Sequence, residues 1–160
     1  MSEHTRDNPN GVIFPPLLLL IGFVLAILLE WLLPIVFLAP AFQSKFQTGF
    51  SAILALVGVS IAILGVTELR KHDTHVEPHK PALFLVNSGI YKLTRNPIYL
   101  GMVIFFLSTS IFWNLEWGVI ITIPVFLTLH YGVIKREEAY LANKFGAAYM
   151  LFRKETRRWL

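Results

Sequence analysis

Long apolar runs alternate with short polar segments along this chain of 160 residues. Four runs stand out, at residues 12–39, 49–66, 98–113 and 117–134. The first exceeds the roughly 20 residues that a helix needs to cross a bilayer, the second and fourth approach that length, and the third would be only about 24 Å long. The pattern predicts an all-α integral membrane protein with about four transmembrane helices, the last two joined as a helical hairpin.

Basic residues are concentrated in two segments, since twelve of the fourteen lie in residues 67–96 and 135–160. The positive-inside rule places both segments in the cytoplasm together with both termini, and it places Asn114 on the opposite side. We therefore expect a two-span membrane anchor at residues 1–66 and a second part at residues 67–160, in which any pocket formed by the polar segments opens to the cytoplasm. The expected location is a bacterial inner membrane or an endomembrane.

Amino-acid composition further limits the classes of protein to which the chain can belong. Charged residues make up 15% of the chain and hydrophobic residues 55%, whereas a soluble domain has about 25% charged residues. The chain has no cysteine, which excludes disulfides, thiol nucleophiles and thiolate metal sites. The net charge of +4 follows the membrane topology and does not indicate a nucleic-acid partner. Because no small-residue cleavage site follows the first apolar run, we expect that run to stay as an anchor.

The polar loop after the second run contains His72, His75 and His79. Their spacing is compatible with a metal site, but no helical pattern places them on one face. Lys71 and Lys80 would also repel a cation. We expect no metal.

Polar and small residues within the first two runs have a packing interpretation. Glu30 lies far from the later polar motifs, and we expect it to pair with a neighbouring helix or to lie at the membrane interface. Gly58, Ala62 and Gly65 would let another helix approach the second span closely.

A helix start is predicted where the basic loop meets the third apolar run. Pro97 fits the first turn of a helix, and Asn96 suits the N-cap position. Arg95 lies beside this N-terminus, with Tyr91 and Tyr99 on either side of it. A cation, backbone amides and aromatic rings would therefore converge where a small charged ligand could bind.

The fourth helix is predicted to continue past the membrane until Gly146 ends or bends it. At helical spacing His130 and Glu137 share one face, with Glu138 next to it. The hairpin returns this end to the start of the third helix. The residues alone leave two interpretations equally open: a solvated carboxylate pair balanced by basic neighbours, or a carboxylate pair that faces Arg95 across a pocket.

Residues 79–160 contain a longer set of motifs, in the order Gly89, Tyr91, Arg95, Asn96, Pro97, Tyr99, Gly101, Asn114, Glu137, Glu138, Phe145, Gly146, Tyr149, Arg158 and Trp159. In order and spacing this set resembles the signature of the isoprenylcysteine carboxyl methyltransferase and phospholipid methyltransferase superfamily of integral membrane enzymes. The chain departs from that pattern at Asn96, where many members have His, and at Ile90, where many have Pro. Asn96 removes any proton-transfer role from its position.

The resemblance implies S-adenosylmethionine as the cofactor and roles for particular residues. It implies catalytic roles for Arg95, Glu137 and Glu138, and substrate binding by Tyr149 and Arg153. The implied cofactor-binding set is His79, Lys80, Gly89, Tyr91, Arg95, Asn96, Pro97, Tyr99, Gly101, Glu137 and Glu138. The cofactor carries a sulfonium, an ammonium, a carboxylate and an adenine ring, which suit carboxylates, an arginine and aromatic walls.

The expected function is methyl transfer, by in-line displacement, to a lipophilic or membrane-resident acceptor at the cytoplasmic face, as in the isoprenylcysteine carboxyl methyltransferases. The alternative is a phospholipid N-methyltransferase, in which Glu137, Glu138 or His130 would deprotonate an ammonium headgroup. A non-enzymatic small membrane protein or transporter subunit is the alternative from another class. A transporter would be expected to show internal repeats and ionisable residues near the midplane, and neither is evident.

The acceptor is expected to enter laterally from the lipid, between the second span and the hairpin. Small residues leave the least side-chain volume along that seam, at Gly58, Ala62, Gly65, Gly101 and Ser108. The same residues could instead only pack the helices together, and the sequence leaves both interpretations open.

Overall fold

The computed structural model describes residues 12–36, 45–76 and 80–160. Within these residues the chain forms helices and no strand, which confirms the all-α prediction. The helices are α1 (Pro15–Leu32), α2 (Lys45–Lys71), α3 (Pro97–Phe112), α4 (Glu116–Thr128), α5 (Lys135–Phe145) and α6 (Ala147–Glu155). A 3-10 turn at Gly89–Lys92 precedes α3, and a π-helical segment at Leu129–Ile134 joins α4 to α5.

Three helices in the described part of the chain are long and apolar enough to cross a membrane. They are α1, α2 and the continuous helix Glu116–Phe145, which α4, the π-helical segment and α5 form together. The 16-residue α3 is apolar but shorter. The protein is therefore an integral membrane protein, and its described residues contain four apolar helices, as the sequence pattern predicts.

The bounds of two helices differ from the predicted runs. α1 ends at Leu32 and residues 34–36 are not helical, because Pro34 cannot donate to a helical hydrogen bond and clashes with the preceding turn. The helix predicted to residue 39 was therefore too long, although residues 37–39 lie outside the described part. α2 is longer at both ends than the run at residues 49–66.

α3 packs against both α2 and α4, and α1 packs mainly against α4. Phe106 of α3 and Leu129, the first residue of the π-helical segment, are fully buried, and they form the apolar core with Val125 and Ala26. Burial of these side chains holds three of the helices in one bundle.

At one end of the bundle, polar side chains join neighbouring helices. Glu30 Oε2 accepts a hydrogen bond from the backbone N–H of Trp117, in the first turn of α4, at 3.3 Å. Gln47 Nε2 donates to the Ile111 carbonyl and to Asn114 Oδ1, each at 2.6 Å. The predicted pairing of Glu30 with a neighbouring helix is confirmed, and its carboxylate satisfies an amide that the start of α4 leaves open.

The opposite end gathers the start of α1, the end of α2, the start of α3 and helices α5 and α6. Tyr149 of α6 and Tyr91 of the 3-10 turn belong to one buried cluster here, with Val86 and Phe152. Both basic segments of the chain therefore lie at this end. The start of α1 and helix α6 therefore lie at the same end of the bundle.

Candidate active site

A cavity of about 240 Å³ lies at the end that carries the basic segments. Its walls come from α1, α2, α3, α5, α6 and the segments at residues 74–76 and 80–86. Nine of the predicted site residues line it: Lys80, Tyr91, Arg95, Asn96, Pro97, Tyr99, Glu137, Glu138 and Tyr149. The fold thus brings the motifs before α3 and those of α5 to one cavity.

The other predicted site residues are not part of the described lining. Gly89 begins the 3-10 turn, and Gly101 lies in the interface between α2 and α3. The side chain of Arg153 is exposed, and only its carbonyl reaches the site, accepting from Arg95 Nη1 at 3.1 Å. His79 lies outside the described residues. Roles for these four residues rest on the resemblance alone.

Glu138 is the centre of an ion-pair network. Its Oε1 accepts from Arg95 Nη2 at 2.8 Å and from Arg158 Nε at 2.9 Å, and its Oε2 accepts from Arg158 Nη2 at 2.7 Å. The side chains of Arg95 and Glu138 are 8% and 10% exposed. Hydrogen bonding to Glu138 also raises the pKa of Arg158. Direct pairing replaces the predicted arrangement in which Arg95 faces both carboxylates across a pocket.

Glu137 has a different environment from its neighbour. Its Oε2 accepts from the Tyr99 hydroxyl at 2.9 Å. It forms no ion pair with any side chain in the described ranges, and it is only partly buried where it lines the cavity. Glu137 is therefore the carboxylate of the site that is available to a cationic ligand.

The π-helical segment changes which residues share a face of the long helix. A π-turn contains an additional residue, so side chains before and after it are rotated relative to a continuous α-helix. Arg158 Nη1 lies 3.3 Å from His130 Nε2 while the same guanidinium binds Glu138, so His130 lies beside Glu138. The prediction that His130 shares a face with Glu137 was wrong, and His130 does not line the cavity.

Arg95 is held by more contacts than the sequence predicts. Its Nη1 donates to the carbonyls of Arg153 and Thr156, and its Nη2 donates to Glu138. Its Nε is buried without a hydrogen-bond partner among the described residues. Because buried donors are rarely left unpaired, this N–H is a candidate donor to an acceptor group on a bound ligand.

Aromatic rings form further walls of the cavity. Burial raises the pKa of Tyr149 to about 12, and the negative charge of Glu138 adds to the shift. Burial also raises the pKa of Tyr91, with further contributions from Glu137 and Glu68. Both phenols stay protonated at neutral pH, so they can donate hydrogen bonds and stack against a ligand but do not serve as bases.

The start of α3 differs from the prediction in one respect. Pro97 begins the helix and Asn96 occupies the N-cap position, as predicted. The Asn96 side chain, however, does not cap the helix, because its Nδ2 donates to the carbonyl of Arg158 at 2.8 Å. Side-chain capping by Asn96 was therefore wrong, and this side chain instead holds the segment that follows α6.

Sequence reasoning missed Glu68, which fixes the turn before the site. Its Oε1 accepts from Ser88 Oγ at 2.5 Å, and its Oε2 pairs with Lys71 at 3.3 Å. Gly89 follows with φ of 55°, and a methyl group there would lie 2.6 Å from the Glu68 carboxyl carbon. We call the contact of Glu68 with Ser88 and Gly89 the latch. Its only signal in the sequence is the Ser-Gly pair, because Glu68 lies 20 residues before Ser88.

The seam between α2 and α3 is closed at its small residues. A methyl group on Gly101 would collide with the Gly58 carbonyl and lie 2.8 Å from Ala62 Cβ. A methyl group on Gly65 would lie 2.8 Å from Ile98 Cγ1. These glycines allow close packing, as such residues do in membrane helices. At Gly58, Gly65 and Gly101 this packing supports the interpretation in which the small residues only pack the helices, whereas Ser108 lines a separate cavity between α2 and α3.

Six apolar residues that the sequence analysis did not assign to the site also line the cavity, and we call them the apolar wall. It consists of Phe14, Pro15, Pro16, Leu69, Ile98 and Met102. The apolar run of a membrane helix does not reveal which of its residues face a cavity. The cavity is thus lined by apolar residues of α1, α2 and α3 as well as by the polar residues of α5 and of the segment before α3.

The lining fits S-adenosylmethionine in its chemistry. The unpaired Arg95 Nε–H suits a carboxylate, Glu137 suits an ammonium or sulfonium cation, and buried phenol rings suit an adenine. The volume of about 240 Å³ lies slightly below the range of about 300–1,000 Å³ for small-molecule pockets. In the described part of the chain, no group of three or more His, Asp or Glu side chains could hold a metal ion.

Comparison with known proteins gives one match. A family model described as phospholipid methyltransferase matches residues 46–148. That range contains α2, α3, α4 and α5 and includes the Arg95, Tyr99 and Glu137 side chains of the cavity. No curated protein and no solved structure matches the chain significantly.

Proposed function

The chain belongs to the phospholipid methyltransferase family, and from that premise we propose that it transfers a methyl group from S-adenosylmethionine to a lipophilic acceptor in the membrane. Family membership and the apolar helices make it an integral membrane methyltransferase. The proposed site is the cavity beside α5. The positive-inside rule supports a cytoplasmic position for that cavity, because both basic segments lie at its end of the bundle.

The observation that carries the proposal is the pairing pattern of the two adjacent glutamates. Glu138 is neutralised by two guanidiniums, whereas Glu137 lines the cavity with one phenol as its partner. A carboxylate in that position favours a cation. Arg95, with its buried unpaired Nε, offers the complementary donor on the same cavity. Together they match the two ends of a zwitterionic amino-acid group.

When bound, S-adenosylmethionine would supply a sulfonium methyl group: a lone pair on the acceptor would form a bond to the methyl carbon as the carbon–sulfur bond breaks, and the neutral thioether S-adenosylhomocysteine would leave. Glu137 would hold a cationic part of the cofactor, and Arg95 would hold its carboxylate. Tyr91, Tyr99 and Tyr149 would pack against its rings and exclude water. The contribution of the chain is orientation of donor and acceptor in a desolvated site.

The acceptor would approach along the apolar wall rather than through the α2–α3 seam. Phe14 and Pro16 at the start of α1, with Leu69 at the end of α2, are apolar lining residues of the cavity. Phe14 is 50% exposed at this position. An acyl or prenyl chain could therefore remain in the lipid while its polar head enters the cavity between α1 and α2.

The family description makes a phospholipid amine the second specific candidate beside a prenylcysteine-type carboxylate. A carboxylate is already a nucleophile at neutral pH, whereas an ammonium must first lose a proton. Glu137 is the cavity carboxylate without an arginine partner among the described residues, so it is the candidate base for the amine reaction.

The test is methyl transfer by the protein in nanodiscs, with S-adenosylmethionine carrying a labelled methyl group. The acceptors are an aminophospholipid, a prenylated cysteine analogue and a native lipid extract, each assayed with the wild type and Glu137→Gln. We expect labelled product from at least one acceptor, with a lower rate in the variant. Folded wild-type protein that labels none of them would contradict the proposed function.

A further inference from the structure

Residues Thr156, Arg157, Arg158 and Trp159, which we name the strap, follow α6 and bind the residues before α3. Arg95 Nη1 donates to the Thr156 carbonyl, and the Arg95 backbone N–H donates to the Arg157 carbonyl at 3.0 Å. The Arg158 carbonyl accepts from Thr94 Oγ1 at 3.2 Å and from the Asn96 amide. Three consecutive carbonyls of the strap are thus held by residues 94–96.

Side chains fasten the same segment to the long membrane helix. Trp159 Nε1 donates to His130 Nδ1 at 3.1 Å, and its ring centroid lies 4.8 Å from that of Phe126. Arg158 binds both oxygens of Glu138, as a guanidinium fork does with a carboxylate. The strap therefore links α6, the start of α3 and the helix that carries both glutamates.

We propose that the strap positions the charged groups of the site and that Arg158 is a positioning residue for methyl transfer, an inference that rests on the proposed function. Arg158 is the sole described side-chain donor to Glu138 Oε2, and Glu138 in turn binds Arg95 at the cavity. Without Arg158, the freed oxygen can turn toward Arg95 and shift its guanidinium. The strap lies beyond residues 46–148, which the family model matches.

The test compares Arg158→Gln with Lys154→Gln, which removes the same charge from an exposed side chain outside the strap. In nanodiscs, kcat and KM for methyl transfer are measured together with the thermal midpoint. A misplacement of about 1 Å in an active site can cost roughly 100-fold in rate. We expect a loss of that order in kcat for Arg158→Gln, little change in the acceptor KM, and normal kcat for Lys154→Gln. Arg158→Lys, which keeps the charge without the fork, should recover part of the loss.

A double variant separates positioning from general stability. If Arg158 acts through Glu138, Arg158→Gln should cause no further loss of kcat in a Glu138→Gln background. Should Arg158→Gln fail to fold, Arg158→Lys with and without Glu138→Gln gives the same comparison. If the wild type is active and the Arg158 variants have unchanged kcat, the positioning role of the strap is wrong and the proposed function still stands. A folded wild type that neither binds the cofactor nor methylates would contradict the proposed function, and the strap inference with it.

Discussion

Adjacent glutamates of identical chemistry occupy different environments because the helix points them at different neighbours. Glu138 faces two arginines from distant parts of the chain, and Glu137 faces Tyr99 and the cavity. The sequence predicts that such a pair could meet Arg95, but it does not predict how the partners are divided. That division depends on Arg158, which reaches Glu138 from 20 positions further along the chain.

Gly89→Ala tests the latch between Glu68 and the turn before the site. The substitution should lower the free energy of unfolding by about 2 kcal/mol, because a non-glycine residue at positive φ costs roughly 1–2 kcal/mol. The added methyl group would also press on Glu68, which is pinned by Ser88. Thermal and denaturant unfolding in detergent measure the change. The control is Gly49→Ala, where nothing lies within 4 Å and the helix should be stabilised slightly. Equal effects of both substitutions would contradict the latch.

The positions of the helices could be predicted from the sequence, but the face of each helix on which a given side chain lies could not. Pro97 and Gly146 mark boundaries through local chemistry alone, and the structure begins α3 at the first and ends α5 before the second. The π-helical segment has no comparable signal in its apolar sequence, and it rotates His130 away from the predicted face. The packing of α1 against α4 likewise depends on the whole bundle, and so does the presence of residues from both α1 and α2 in the cavity lining.

Gly101→Leu tests whether the α2–α3 seam is a packed interface. We expect a loss of about 1–3 kcal/mol or more in stability, since overpacking forces neighbouring backbone apart and Gly58 lies in contact. Gly49→Leu, in open surroundings on α2, is the matched control. Thermal unfolding reports the change. A variant as stable as the control, with acceptor turnover alone suppressed, would restore the seam as the acceptor route.

Leu69→Trp tests the route between α1 and α2. The larger ring should occupy space along the apolar wall and raise the acceptor KM by a larger factor than the dissociation constant of S-adenosylmethionine, which can also change because Leu69 packs against the cluster of Tyr91 and Tyr149. Ile53→Trp adds the same ring on α2 at a position that is 64% exposed and outside the cavity. Methyl transfer at varied acceptor concentration measures the difference. Identical acceptor KM values in the two variants would exclude this wall as the path.

For the whole molecule, the apolar runs and the distribution of basic residues predicted most of the architecture. Four apolar helices and the return of α5 to the start of α3 follow from run lengths and hairpin geometry. The sequence did not predict that the first helix contributes to the site. Phe14, Pro15 and Pro16 line the cavity, but they lie in an apolar run whose composition indicates only a membrane anchor. Long-range packing brings them to the cavity.

Orientation in the membrane can be tested by cysteine labelling, since the native chain contains no cysteine. Trp113→Cys lies beside Asn114 at a position that is 68% exposed, and Lys154→Cys lies at the opposite end. A membrane-impermeant maleimide should label the first from outside the cytoplasm and the second only from the cytoplasmic side. Labelling of both from the same side would contradict four crossings.

The most direct test of the central claim is calorimetric titration of S-adenosylmethionine into the purified protein in nanodiscs. We predict that the wild type binds and that Glu137→Gln loses about 2–5 kcal/mol of binding free energy, as expected when one partner of a desolvated charge pair is removed. Glu155→Gln, at an exposed carboxylate on α6, should bind as the wild type does. Absence of binding to folded wild-type protein, or equal affinity in the two variants, would contradict a cofactor site built around Glu137.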